Sequence, residues 1–199
     1  MSLRRFAYKE LPVTTRKNGG GTTREIVSWP LYAEPAAFDW RVSIAAITAS
    51  GPLADFAGVD RTIMLLDGDG IRLQSDGLDE MLAVPHQSFS FDGEASVACT
   101  LHGKLSTNLN LMVRRGQGRA ELGILEDTQT LEASPHGVLM CIEGQWRVGG
   151  GMLKHGQGVW WTEQDENWHV KPASRGAQLA MVQWWPAGTS LNNAAMRSI

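Results

Sequence analysis

Short apolar runs separated by glycine-rich and polar turns recur along the whole chain, at intervals of about ten residues. Several runs alternate, as in Phe38–Ala45, where Trp40, Val42 and Ile44 would lie on one face of a strand and Arg41 and Ser43 on the other. No window has a sustained helical period with caps. The pattern predicts an all-β protein, because short strands at this spacing are typical of a sandwich or barrel.

The predicted strands fall into two groups, one before and one after residue 116. The first group is Glu25–Ser28, Trp40–Ile47, Arg61–Leu66, Ile71–Gln74, Glu80–Ala83, Val97–Leu101 and Leu109–Val113. The second group is Gly123–Leu125, Thr128–Glu132, Val138–Glu143, Gln145–Val148, Met152–Lys154, Gly158–Thr162, Trp168–Lys171 and Ala177–Trp184. The segment Met1–Leu11 carries no such run, and we expect it to be loose.

One short pattern occurs twice. Met64–Gly68 has three apolar residues, an acidic residue and a glycine, and Met140–Gly144 repeats this order 76 residues later. In both copies the acidic residue and glycine can close a hairpin. Two unrelated hairpins would give the same match, but a repeat is typical of duplicated folds. We therefore predict two similar β-barrel halves, 1–115 and 116–199, packed as one compact unit.

Composition narrows the classes of function. The chain has 199 residues and a net charge of -3, without the clustered Lys and Arg of a nucleic-acid-binding surface. No apolar run is long enough to span a membrane, and the N-terminus lacks the apolar core of a signal peptide, so we expect a cytoplasmic protein that binds neither nucleic acid nor membrane. Most of the eight tryptophans lie in the second half, where they would form core or a homodimer interface.

A metal site or other cofactor is not expected. Metal-dependent barrels of this kind use a His-x-His pair, whose two imidazoles project from one strand face. This sequence has five histidines and no such pair. Its two cysteines, Cys99 and Cys141, lie inside apolar runs, where a free thiol behaves as a small hydrophobic group.

Glycines and arginines in the first half provide the candidate ligand site. Three consecutive glycines, residues 19–21, leave the backbone free to form an anion-binding nest, although a flexible loop would have the same composition. Inward-facing arginines would need Glu25, Asp39 or Asp60 as partners, or else an external anion. The candidate ligand-binding residues are Asn18, Gly19, Gly20, Gly21, Thr22, Arg24, Arg41, Ser43, Arg61 and Asn110.

Four segments together resemble the HutD/Ves family: residues 18–26, Phe38–Ala45, Gly58–Thr62 and Asn110–Met112. The resemblance implies a tandem cupin (RmlC-like jelly-roll) fold without metal ligands, in a family whose better-known members are encoded with bacterial histidine-utilisation enzymes. This chain departs from the family at Arg16, where a tryptophan is usual, and at Asn108, where the family has an aspartate. The lost carboxylate would leave nearby arginines less compensated and so favour an anionic ligand.

The resemblance suggests a protein that binds a small anionic molecule, such as formylglutamate or urocanate, and regulates histidine utilisation without catalysis. A metal-free hydrolase or isomerase acting on the same intermediates is the alternative, with Glu25, Asp60 or His102 as acid–base candidates. A stress-related scaffold protein is a second alternative. Fold analogy alone does not decide among these, because cupins carry out many unrelated activities.

Overall fold

The computed structural model describes residues 2–16, 19–31 and 37–189, which form nineteen β-strands and a 3-10 turn at Tyr8–Glu10. No α-helix occurs in these ranges. The strands are β1 (Ser2–Ala7), β2 (Val13–Thr15), β3 (Gly21–Trp29), β4 (Trp40–Ile47), β5 (Gly51–Pro52), β6 (Val59–Gly68), β7 (Ile71–Ser75), β8 (Leu78–Leu82), β9 (Ser88–Asp92), β10 (Ala98–Leu101), β11 (Ser106–Arg114), β12 (Gly118–Leu125), β13 (Gln129–Leu131), β14 (His136–Glu143), β15 (Gln145–Val148), β16 (Gly151–Lys154), β17 (Gln157–Thr162), β18 (Trp168–Pro172) and β19 (Gln178–Pro186).

These strands form four sheets. In the first half, a six-stranded sheet has the order β2-β3-β4-β11-β6-β9 and a four-stranded sheet the order β5-β10-β7-β8. In the second half, the orders are β1-β17-β14-β19-β12 and β13-β18-β15-β16. All of the paired strands are antiparallel. The prediction of an all-β protein is confirmed.

Strands β4 to β11 and β12 to β19 pair in the same order within the two halves. The repeated sequence pattern lies at equivalent places, since Met64–Gly68 ends β6 and Met140–Gly144 ends β14 and the turn after it. Gly68 and Gly144 both have positive φ, at 99° and 69°, and in each half the chain then passes from the larger sheet into the smaller one. The repeated pattern therefore marks equivalent corners.

Three large apolar cores hold the sheets together, and a small fourth cluster contains Phe38, Val59 and Met112. One lies between the two sheets of the first half and contains Ile63, Leu73 and Cys99, and another lies between the two sheets of the second half. The third joins the halves, because Trp40 and Val42 of the six-stranded sheet pack with residues such as Val182 of the five-stranded sheet. The six-stranded sheet thus has an inner face toward its four-stranded partner and an outer face toward the second half.

The N-terminal strand corrects one expectation. Residues Ser2–Ala7, expected to be loose, pair with Gln157–Thr162 and form the edge of the five-stranded sheet of the second half. The division of the chain at residues 115 and 116 stays a prediction, but this pairing means that the first strand belongs by contact to the second half. No helix among the described residues is long and apolar enough to cross a lipid bilayer.

Candidate functional site

The inner face of the six-stranded sheet carries polar residues on three adjacent strands. Arg41 of β4 and Arg61 of β6 are both paired opposite Met112 of β11, so they share one row across the sheet. In the next row Ser43 is paired with Asn110. Residues directly opposite in an antiparallel pair point to the same face. The structure therefore brings together Arg41, Ser43, Arg61 and Asn110, as the sequence predicted.

Arg61 is the most deeply buried charge of this group, at 6% exposed. Its guanidinium stands between two rings, with Cζ 5.6 Å from the centroid of Phe56 and 5.0 Å from that of Phe91. Nη1 donates a hydrogen bond to the carbonyl oxygen of Ala54 at 3.0 Å, whereas the buried Nε has no hydrogen-bond partner in the described part of the chain. No carboxylate of the described residues forms a salt bridge with Arg61.

The electrostatic surroundings of Arg61 disfavour its charge. Burial, followed by the positive charges of Arg16 and Arg41, lowers the pKa of Arg61 to about 10, while Asp55 and Cys99 act in the opposite direction. A buried cation with two neighbouring cations gains more than an ordinary surface arginine when an anion binds beside it. These charges give the inner face the character of an anion site.

Arg41 has a partner within the protein. Its Nε lies 2.8 Å from Oε2 of Glu25, but the two atoms form an ion pair rather than an aligned hydrogen bond. Glu25 is paired with Ser43 and so faces inward, and its other carboxylate oxygen accepts a hydrogen bond from the Ser28 hydroxyl at 3.0 Å. The carboxylate keeps about half of its surface exposed. The alternative of a structural ion pair is thus realised at Arg41 and not at Arg61.

The asparagine side chains of β11 are buried, and their hydrogen bonds within the protein are incomplete among the described residues. Asn108 Nδ2 donates to the Ser106 hydroxyl at 3.0 Å, and Asn110 Nδ2 donates to the Asn108 carbonyl oxygen at 3.3 Å. The Asn108 side-chain oxygen has no hydrogen-bond partner among the described residues. Buried polar atoms are usually paired, so an unpaired buried acceptor on this face is typical of a site that holds a ligand or water.

Arg24 and Thr22 do not join this group. They are paired with Ile44 and Ala46, which places both on the outer face of the sheet. The Arg24 guanidinium lies over the ring of Tyr8, 5.0 Å from its centroid, and donates to the carbonyl oxygen of Leu11. The physical reason is a bulge between Glu25 and Val27, which reverses the alternation along β3. Arg24 therefore anchors the N-terminal segment.

The glycine loop serves mainly to bring the chain close to β4. Asn18, the first residue of the predicted nest, lies outside the described residues. The Gly19 amide donates to the Arg16 carbonyl oxygen, so it closes a turn. A Cβ on Gly21 would lie 1.9 Å from the Ala46 carbonyl oxygen, and φ at this residue is +137°. Gly20 is buried, and its carbonyl oxygen accepts from the Thr48 amide. Gly21 is thus required for packing.

Two clefts lie near these elements. One of about 410 Å³ is lined by residues 50–53, 55 and 96–100, and it includes Asp55 and Cys99, whose charges act on Arg61. A larger cleft of about 630 Å³ is lined by Met64, His86, Ser88 and residues 122–129, and it contains none of the predicted site residues. The predicted site residues do not line the smaller cleft either, and its relation to the site is that Asp55 and Cys99, which line it, act on Arg61.

This chain is similar to known proteins over most of its length. The sequence model of the HutD family matches residues 8–180. The chain belongs to the HutD family. It is similar to Protein Ves of Citrobacter koseri, with 33% identity over 185 residues, 92% of this chain and 96% of that protein.

Solved structures agree with the family assignment. The structure of HutD from Pseudomonas fluorescens SBW25 (formate condition) has 25% identity and a TM-score of 0.83, covering 94% of this HutD-family chain and 100% of that one. A cupin 2 conserved barrel domain protein from Leptotrichia buccalis has 9% identity and a TM-score of 0.57, covering 90% and 95%. At this identity the last likeness concerns the fold alone, and the fold is cupin-like.

Among the described residues, the second half of this HutD-family protein has no buried arginine or asparagine like those of the first half. The repeat that aligns Met64 with Met140 aligns Arg61 with Gly137. A Cβ at Gly137 would lie 2.3 Å from Cζ2 of Trp161, which fills that space. The residue paired opposite Gly137 is Gln183, a buried but uncharged side chain whose Nε2 donates to the Ser134 hydroxyl and to the Glu132 carbonyl oxygen. Two halves with the same strand pairing thus have different interiors, so the fold itself does not require buried arginine and asparagine in the first half.

Sequence reasoning missed part of the site. Asn108 and Arg16 were not among the predicted ligand-binding residues, yet Asn108 lies on the inner face and the charge of Arg16 acts on Arg61. The alternation on β11, which also identifies Asn110, could have found Asn108. Within residues 2–16, 19–31 and 37–189, no three His, Cys, Asp or Glu side chains come together in a way that could hold a metal ion.

Proposed function

We propose that this HutD-family protein binds a small carboxylate on the inner face of its first half and, without catalysis of its own, regulates histidine utilisation. We also propose that each pair of sheets is a cupin-type jelly roll, which makes the molecule a tandem cupin. The single observation that carries the binding proposal is Arg61, a buried guanidinium without a carboxylate partner and with an unpaired Nε among the described residues.

The chemistry of the neighbouring residues supports a carboxylate as the ligand. Planar guanidinium groups bind carboxylates through parallel N–H donors, and the Nε of Arg61 is a buried donor without a hydrogen-bond partner among the described residues. Buried Ser43 and Asn110, from neighbouring strands, provide further polar groups. The solved HutD structure from Pseudomonas fluorescens is described as a formate condition, and formate is the simplest carboxylate.

The regulatory role has its support in family resemblance. The better-known members of this family are encoded with enzymes of histidine utilisation, a pathway that runs through urocanate and formylated or formiminated glutamates, all small carboxylates. Of the acid–base candidates for the enzyme alternative, Glu25 is on the inner face, whereas Asp60 forms an ion pair with Arg115 on the outer face of β6. His102 follows β10, where its amide donates to the Gly70 carbonyl oxygen. Glu25 is itself paired with Arg41.

A thermal-shift screen with urocanate, formylglutamate, formiminoglutamate and glutamate tests the proposal. A ligand at about a hundred times its dissociation constant adds about 2.7 kcal/mol to the free energy of unfolding. For a chain of this size the melting temperature then rises by roughly 5 to 11 °C. Arg41→Met should reduce the shift by weakening the anion site, and Arg119→Gln is the control, because Arg119 lies on β12 and pairs with Glu121 in the second half.

The outcomes separate the alternatives. A shift that is retained in Arg119→Gln and reduced in Arg41→Met supports the binding proposal. The absence of a shift from every carboxylate in the unmodified protein contradicts it. Chromatography measures whether the unmodified protein consumes any of these compounds. If it does, the enzyme alternative replaces the regulatory proposal.

A further inference from the structure

A series of aromatic rings and guanidinium groups lies at one end of the inner face. Phe38 is buried in a cluster with Val59 and Met112, which lie on the inner face because Met112 is paired with Arg61 and Val59 is two residues from it. The ring centroids of Phe38 and Phe56 are 6.2 Å apart, and Phe56 in turn contacts the guanidinium group of Arg61. The two rings therefore connect the start of β4 with the buried arginine of β6.

Two further arginines lie at the ring of Phe38. Cζ of Arg41 is 6.0 Å from its centroid, and Cζ of Arg114 is 5.8 Å from it. Arg114 is paired with Val59 and therefore also lies on the inner face. Its Nε donates a hydrogen bond to the Phe38 carbonyl oxygen at 3.0 Å. A single residue thus contacts both guanidinium groups, and it holds Arg114 through its ring and through its backbone.

The place of Phe38 depends on where β4 begins. Strict alternation would put Phe38 on the same side as Trp40, which faces the second half. The strand begins only at Trp40, and before it the Asp39 amide donates to the Trp29 carbonyl oxygen. The Asp39 carbonyl oxygen accepts from the Arg114 amide. The ring of Phe38 is therefore not bound by the alternation of β4, and it packs with the inner-face residues instead.

The burial of Phe38 matters for the strength of these contacts. Only 1% of Phe38 is exposed, and the attraction between a cation and the electrons of an aromatic ring is stronger where water is excluded. An arginine side chain that moves freely in the unbound protein must be ordered when a ligand binds, which lowers the affinity. A guanidinium group already held at a ring avoids this loss. The Arg41 side chain is still 20% exposed, so a ligand can reach it.

We propose that Phe38 is a positioning residue of the carboxylate site, whose ring holds the guanidinium groups of Arg41 and Arg114 in place on the face that also carries Arg61. The inference rests on the proposed function and adds a residue to the same site. Phe38 acts through the arginines and not by touching the ligand. The affinity for the carboxylate therefore depends on the electrons of this ring, and not only on its shape.

Site-specific replacement of Phe38 with a trifluorinated phenylalanine tests this role. Fluorine atoms withdraw electrons from the ring and weaken its attraction for cations, while the side chain changes little in size. Isothermal titration calorimetry is carried out with urocanate, formylglutamate, formiminoglutamate and glutamate. Each compound that binds the unmodified protein should bind the fluorinated protein roughly tenfold more weakly. Near-ultraviolet circular dichroism should be unchanged, because the packing is retained.

The same replacement at Phe6 is the matched control. Phe6 lies on β1 and packs against the core between the halves, so its fluorination should leave the affinity unchanged. Phe38→Leu removes the ring but keeps an apolar side chain, and it should bind at least as weakly as the protein fluorinated at Phe38.

The inference is overturned if the protein fluorinated at Phe38 binds as tightly as the unmodified protein, whether or not Phe38→Leu remains folded. The shape of the ring alone would then matter, and the proposed function would stand. If the unmodified protein binds none of the four carboxylates, the proposed function itself fails, and the positioning role fails with it.

Discussion

Arg61 and Gly137 occupy equivalent positions in the two halves, and their surroundings differ in one decisive respect. Arg61 is a buried cation between Phe56 and Phe91, while the space at Gly137 is filled by the ring of Trp161. An interior without a buried charge at this position is therefore available to this strand arrangement. The buried arginine of the first half costs stability, so its retention is best explained by binding.

This relationship predicts that Arg61→Met leaves the protein folded. The variant removes a desolvated cation that has no ion pair among the described residues, and Ala54, which loses a hydrogen bond, is exposed to water. We expect the free energy of unfolding to stay within about 1 kcal/mol of the original or to rise. Urea denaturation measures this value. A loss of about 3 kcal/mol or more would show that Arg61 has a structural partner instead.

Two glycines of the same loop should respond differently to alanine. Gly21→Ala places a methyl group 1.9 Å from the Ala46 carbonyl oxygen, and we expect a loss of at least about 2 kcal/mol. Gly19→Ala meets no atom within 4 Å and has only its φ of +69° to accommodate, at a cost of about 1 kcal/mol. Thermal denaturation of both variants compares them. Equal losses would contradict the packing role assigned to Gly21.

His136 should make stability depend on pH. Burial lowers the pKa of His136 from 6.5 to about 4, where Trp29, Trp40 and Trp184 surround its ring. The unfolded chain therefore takes up its proton first as the pH falls. The free energy of unfolding is therefore unaffected by His136 above pH 6.5. It falls by roughly 3 kcal/mol in total between pH 6.5 and about 4, because the folded protein holds this histidine neutral.

Urea denaturation across that pH range tests this prediction. His136→Gln should show a shallower decline between pH 6.5 and 4 than the unmodified protein. His169→Gln is the control, because His169 is exposed and hydrogen-bonded to Thr130 at the surface. An unchanged pH profile in His136→Gln would mean that other groups produce the decline.

The sequence predicted those parts of the fold that depend on local alternation. Trp40–Ile47 was placed with its correct bounds and faces, because strict alternation there distinguishes the two cores. Arg24 was assigned to the wrong side, since the bulge after Glu25 directs both Ile26 and Val27 to the core between the halves. The partner of Ser2–Ala7 is about 150 residues away, and no local pattern reveals it.

Part of the candidate site could be predicted from the sequence. Strand alternation placed Arg41 and Ser43 on one face, and Arg61 and Asn110 were expected to converge with them; the structure places all four on the inner face, and their role in binding stays a prediction. Arg16 was not assigned to the site, because its place depends on the pairing of β2 with β3 and on a turn through the glycine loop. Charge balance within a site likewise depends on which side chains meet, and this cannot be read from spacing along the chain.

The most direct test of the central claim is to observe the Arg61 Nε–H group by nitrogen-15 NMR while a carboxylate is added. Arg61→Met identifies its resonance by loss of the peak. Because this Nε has no hydrogen-bond partner among the described residues, binding should move its resonance strongly, in parallel with the affinity measured by calorimetry. A carboxylate that binds with measurable affinity and leaves the Arg61 Nε–H resonance unmoved would contradict the account.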